Sequence, residues 1–143
     1  MGETPICTAR HLNHVCIAVS DIEDALGFYR LTFGVGDAEV EDLEDQGVRA
    51  ALVRVGGSQL EFIQPTDPSG GVARFIERRG EGVHHVAFEV ENLQGQLDRL
   101  ASEGVQLIDT APREGLSGSI AFIHPRATRG VLIELVDQEG ARR

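Results

Sequence analysis

No stretch of this sequence approaches the ~20 consecutive apolar residues needed to span a membrane. Its N-terminus, "MGETPICTAR", lacks the hydrophobic core of a secretory signal. A cytoplasmic address and no membrane partner are therefore expected. Cysteine is scarce: Cys7 and Cys16 are the two in the chain, without metal or redox spacing, and read as free thiols in a reducing compartment. Positive charge is also in deficit. A net charge of −10 argues against nucleic acid as a partner, because displacing its counterions requires basic surface. Basic residues do gather locally, at Arg74, Arg78 and Arg79 and at Arg113, Arg126 and Arg129, and each of these reads first as a solvated face. No glycine-rich phosphate loop follows a strand-like run, so a nucleotide fold has no support.

What is present is a duplication. "LNHVCIAVSDIEDALGFYRLTFGVG" aligns with "VHHVAFEVENLQGQLDRLASEGVQL". His14 falls on His85, Val15 on Val86, Val19 on Val90, Ile22 on Leu93 and Leu26 on Leu97, a constant shift of 71 positions. Each copy opens with period-two alternation, which signals a strand, and then changes to an amphipathic helix. Ser20 and Glu23 have the spacing of a capping box at the first helix, and Gly104 stands where the second should stop. Three further strands are expected in each copy, near Val35–Leu43, Gly47–Val55 and Gln59–Gln64, and near Val105–Asp109, Ser119–Ile123 and Val131–Val136. The chain thus reads as one α+β domain over residues 1–143. Duplicated β-α-β-β-β units span about 11–65 and 82–138, with a linker helix at about 70–80.

Strand alternation places Val15, Ile17 and Val19 on one face, and His14, Cys16 and Ala18 on the other. In the second copy the corresponding sets are Val86, Phe88 and Val90, and His85, Ala87 and Glu89. The last strand of each copy carries a glutamate between apolar neighbours: Glu61 between Leu60 and Phe62, and Glu134 between Ile133 and Leu135. Each follows a glycine, Gly57 or Gly130, by four residues. A mid-strand carboxylate among apolar side chains is costly unless it is neutralised, and a divalent cation would do so. One histidine and one glutamate from each repeat make four ligands, His14, Glu61, His85 and Glu134, suited to zinc, cobalt, manganese, nickel or iron. His84 points away from His85 and reads as a supporting residue, and His11 reads as a surface residue.

With this pattern in view, the sequence resembles the vicinal-oxygen-chelate superfamily, whose members include glyoxalases and bleomycin-resistance proteins, and within it the methylmalonyl-CoA epimerases. The resemblance runs from about His11 to Val136. It is carried by "LNHVCIAVSDIEDALGFYR", "RFIERRGEGVHHVAFEV", "GVQLIDTAPREG" and "AFIHPRATRGVLIELV". It implies a vicinal-oxygen-chelate fold with a metal site in the curved sheet, and a cobalt, zinc, manganese or nickel ion on His14, Glu61, His85 and Glu134. It further implies an acyl-CoA substrate, a homodimer, and 1,1-proton transfer at the carbon between thioester and carboxylate through a metal-stabilised enolate. Glu134 matches one catalytic base. The second base, a glutamate before Gln-Gly-Val in the family, is matched by Asp45 in "DLEDQGVRAALV", one methylene shorter. The loop around Ser117–Ser119 lacks the family's basic or histidine character, which would leave coenzyme A's phosphates to arginines such as Arg113, Arg126 or Arg129. The competing readings are a glyoxalase-type isomerase acting on a hemithioacetal and a non-catalytic drug-binding protein.

Overall fold

A computed structural model describes residues 4–35, 38–116 and 118–139. Its contacts divide the chain into two compact units, one of residues 14–84 and one of residues 1–13 with 85–143. The β-α-β-β-β order occurs twice, as expected, in an α+β fold.

In the first unit, β1 (His11–Ala18, of which residues 14–18 belong here) leads to α1 (Ile22–Phe33). Then come β2 (Glu41–Leu43), a 3-10 turn at Glu44–Gln46, β3 (Val48–Val55) and β4 (Ser58–Pro65). The strands lie in the order β2-β3-β4-β1, with β3 antiparallel to β4 and β1 parallel to it. The third element is shorter than expected from Val35–Leu43; Gly36 and Asp37 in that range lie outside the described residues. The entrance to α1 also differs from the sequence expectation. Asp21 is the N-cap, its carboxylate accepting from the Asp24 amide at 3.0 Å. The Ser20 amide donates to Glu81 Oε2 at 2.8 Å, and Glu23, the expected capping-box partner, is held by Arg49 at 2.7 and 3.1 Å. α1 stops at Gly34, whose φ of 67° lets its amide turn back to the Arg30 carbonyl. Ile22 packs with Val19, Ala51, Val53 and Phe62, and the Tyr29 ring meets Phe62 edge-on at 4.9 Å. The linker helix α2 (Gly71–Arg79) closes this unit.

The second unit holds β5 (Gly82–Glu89, of which residues 85–89 belong here) and α3 (Leu93–Ser102). After them come β6 (Arg113–Gly115), β7 (Gly118–Ile123) and β8 (Ile133–Asp137). The order β5-β8-β7-β6 mirrors the first unit: β5 is parallel to β8, and β7 is antiparallel to both β8 and β6. Leu93, Leu97 and Leu100 of α3 bury against Val90, Ala121, Ile123, Ile133 and Leu135, and Ile6 and Cys7 pack on the same core.

The strand expected at Val105–Asp109 is reduced to one bridge, Leu107 with Ile123. The Ile108 and Asp109 amides both donate to the Phe122 carbonyl, and the Asp109 carboxylate accepts from the Phe122 amide at 2.8 Å. A side chain thus takes the place of the next ladder bond, and pairing resumes only at β6. Gly118, with φ of 144°, has no room for a side chain: a Cβ there would lie 2.8 Å from the Asp137 carbonyl oxygen.

Candidate functional site

Parallel pairing of β1 with β4 sets Cys16 beside Glu61. His14 is two residues earlier in β1 and therefore shares that face. His14 Nε2 lies 3.4 Å from Glu61 Oε1, with the two side chains 1% and 9% exposed. The second unit repeats the arrangement. β5 pairs with β8 so that Ala87 stands beside Glu134, and His85 Nε2 lies 3.5 Å from Glu134 Oε2, at 5% and 6% exposure. On the opposite faces Ile17, Leu60 and Phe62, and Val86, Phe88, Ile133 and Leu135, join the helix-packed cores. The face assignment made from strand alternation therefore holds in both units.

Each half fits a divalent cation on chemical grounds. Imidazole and carboxylate are suitable donors. Two donors on a tetrahedral ion with bonds of about 2.0–2.2 Å stand about 3.3–3.5 Å apart, as each pair does. A buried carboxylate beside an imidazole, walled by apolar strands, is a site where positive charge is strongly favoured.

Other sequence candidates fall outside these pairs. His84 is largely buried, with its ring edge-on to Phe75 at 4.9 Å. Burial pushes its imidazole pKa down, Glu61 opposes that shift and Arg79 adds to it. His11 is exposed and pairs with Glu89 at 3.1 Å, and Asn13 donates to the same carboxylate. Asp45 is exposed on the 3-10 turn between β2 and β3, just before Gly47, whose φ of 67° ends that turn. Ser117 lies outside the described residues, while Ser119 pairs opposite Glu114 in the β6–β7 hairpin.

One participant was not foreseen. Phe122 stands directly across from Glu134 in the β7–β8 register, and its ring meets His85 edge-on at 5.2 Å. The corresponding place in the first unit, opposite Glu61 on β3, is held by Leu52. The readable signal was an aromatic in "SIAFIHP", at a position that only the register connects to Glu134.

The family profile of the glyoxalase/bleomycin resistance protein/dioxygenase superfamily matches residues 13–122. An ethylmalonyl-CoA/methylmalonyl-CoA epimerase of Cereibacter sphaeroides is 34% identical, over 87% of this chain and 95% of that protein. The chain belongs to this superfamily, in its methylmalonyl-CoA epimerase branch. Its class is that of the epimerase-like isomerases. YqjC of Bacillus subtilis (strain 168), itself uncharacterized, is 43% identical to this branch member, over 90% of this chain and 93% of YqjC. A Streptomyces coelicolor methylmalonyl-CoA epimerase variant, solved in complex with 2-nitronate-propionyl-CoA, matches it with a TM-score of 0.87 at 33% identity. That match covers 94% of this chain and 98% of the solved one.

Proposed function

We propose that this protein is a metal-dependent epimerase of a 2-substituted malonyl-CoA, with methylmalonyl-CoA as the first substrate to test. The observation that carries the reading is the repeated buried histidine–glutamate pair, His14 with Glu61 and His85 with Glu134, at cation-ligand spacing. In this reading the four residues hold one cobalt, zinc, manganese or nickel ion within a single domain built of two repeats. The chemistry such an ion supplies when bound is charge stabilisation at the thioester and carboxylate oxygens, which lowers the acidity barrier of the carbon between them.

The chain's own groups then have proton work to do. Inversion requires removal of a proton from one face and delivery to the other, hence two groups. Glu134 takes the first role, supported by its match to the family base. Asp45 takes the second, supported by its place before Gln46 and Gly47 and by its exposed carboxylate. The Phe122 ring beside His85, and the burial of all four side chains, keep the surrounding dielectric low, which strengthens every charge interaction at the site. The shorter Asp45 leaves the acyl group open to bulkier 2-substituents, and a relative named for both ethylmalonyl-CoA and methylmalonyl-CoA accords with that latitude.

We further propose that the protein is a cytoplasmic homodimer. No helix among the described residues is long and apolar enough to cross a membrane. Proton NMR of 2-methylmalonyl-CoA in deuterium oxide is the deciding experiment. The metal-loaded protein should wash the α-proton signal out; a loaded protein that leaves it intact, or that turns over a glutathione hemithioacetal instead, overturns the proposal.

A further inference from the structure

We infer that Arg113 recognises anionic oxygens of the acyl-CoA substrate beside the His85–Glu134 pair, an inference that rests on the epimerase reading. The sequence contains no lysine, so a side-chain cation for a multiply charged anion must be arginine or histidine. On a chain of net charge −10 such a cation has to be placed locally. Arg113 is so placed. Its guanidinium carbon stands 5.3 Å from the centre of the Phe122 ring, and that ring is the one set against His85 and across from Glu134.

The guanidinium is also held. Asp109 Oδ2 lies 3.3 Å from Arg113 Nη2, and the same Asp109 oxygen accepts from the Phe122 amide. Ring and carboxylate fix the planar head on two sides while the side chain remains 49% exposed. A guanidinium offers five donors in a rigid fork that matches carboxylate and phosphate oxygens. Asp109 is its one carboxylate partner among the described residues, and it engages one edge of the fork.

The internal repeat sharpens the point. Arg113 pairs with Ile120 in β6–β7 as Glu41 pairs with Ala50 in β2–β3. Phe122 stands across from Glu134 as Leu52 stands across from Glu61. The charge at the matching position is reversed between the units, and the aromatic platform occurs only in the second. A purely architectural role would not require this difference. The matching position that carries a cation is thus the one beside Phe122 and Glu134, which assigns the anionic oxygens to this half.

Carboxylate and phosphate share this chemistry, and both occur in the substrate class. Parent, Arg113→Gln and Arg113→Lys proteins should be compared on methylmalonyl-CoA and on phosphate-free methylmalonyl-pantetheine. Loss of hydrogen bonds to a charged group predicts a KM for methylmalonyl-CoA about ten- to a hundredfold higher in Arg113→Gln, with kcat much less affected. Arg113→Lys should recover part of the loss, and it carries the test if the glutamine variant does not fold. Metal stoichiometry should match the parent, since Arg113 is no ligand. A penalty that vanishes on the pantetheine thioester assigns Arg113 to the phosphates, and one that persists assigns it to the carboxylate. Unchanged KM on both substrates overturns the inference. A parent that exchanges no α-proton overturns the epimerase reading instead; calorimetry with methylmalonyl-CoA then still decides on Arg113, equal affinities of parent and Arg113→Gln counting against it.

Discussion

Glu61 and Glu134 are alike in burial and in their distance to a histidine, yet different chemistry is expected of them. Glu61→Gln keeps a coordinating amide oxygen and should retain much of the metal binding and activity. Glu134→Gln loses a proton-transfer group as well, and kcat should fall by about 10²–10⁴-fold with much less loss of metal. Metal analysis alongside steady-state kinetics separates the two, and equal activity losses would contradict distinct roles. Asp45 is the other residue on which the mechanism turns. Asp45→Asn should nearly stop inversion while leaving exchange at the face served by Glu134, as read by NMR in deuterium oxide. Asp45→Glu lengthens the reach by ~1.5 Å. It should be tolerated on methylmalonyl-CoA and should lower activity on a bulkier acyl group if the turn is fitted to one. The ligand candidates were legible residue by residue because strand alternation and the repeat agree on them. Phe122 was not, because it acts through a register that no local pattern encodes; Arg113 was among the arginines read for coenzyme A's phosphates, but its ring and carboxylate partners were not.

Among the elements, the helices and the long strands were readable within a residue or two, since each carries its own period and its own stop. The short edge strands were not. β2 and β6 have three residues each and bury too little to leave a hydrophobic signature. Val105–Asp109 has the right residues for a strand, but Asp109 spends its carboxylate on the Phe122 amide and breaks the ladder. The α1 cap was misplaced by one residue: Ser20 and Asp21 are both good caps, and Glu23, which would complete a box with Ser20, is engaged by Arg49. The β6–β7 hairpin yields a prediction at this scale. Gly118→Ala forces a Cβ against the β8 backbone at an unfavourable φ, and should cost about 1–3 kcal/mol in chemical denaturation.

For the molecule as a whole, the duplication was the most legible feature, because two copies of one pattern confirm each other wherever either is weak. If one cation draws on both copies, its removal should be felt throughout. Chelation should lower the melting temperature, and a metal held at a hundred times its dissociation constant adds about 2.7 kcal/mol of stability. His14→Ala and His85→Ala should each abolish stoichiometric binding in a protein that still folds, with a melting point close to that of the chelated parent. A variant that binds metal as tightly as the parent would remove its histidine from the site.

The unit of residues 1–13 and 85–143 takes its material from both ends of the described chain. The Arg10 amide donates to the Glu89 carbonyl, Arg10 pairs with Glu91, and Ile6 and Cys7 lie on the α3 core. During synthesis those first residues leave the ribosome long before their partners exist. Residues 14–84 can complete their own pairing in the meantime, once β4 arrives to join β1. The opening residues must wait, unpaired, for α3 and its neighbours. Cutting away the first ten residues should therefore loosen amides in 85–139 more than those in 14–84, as hydrogen exchange would show. Of the two repeats, the one translated later would be the one loosened by a cut made far upstream of it.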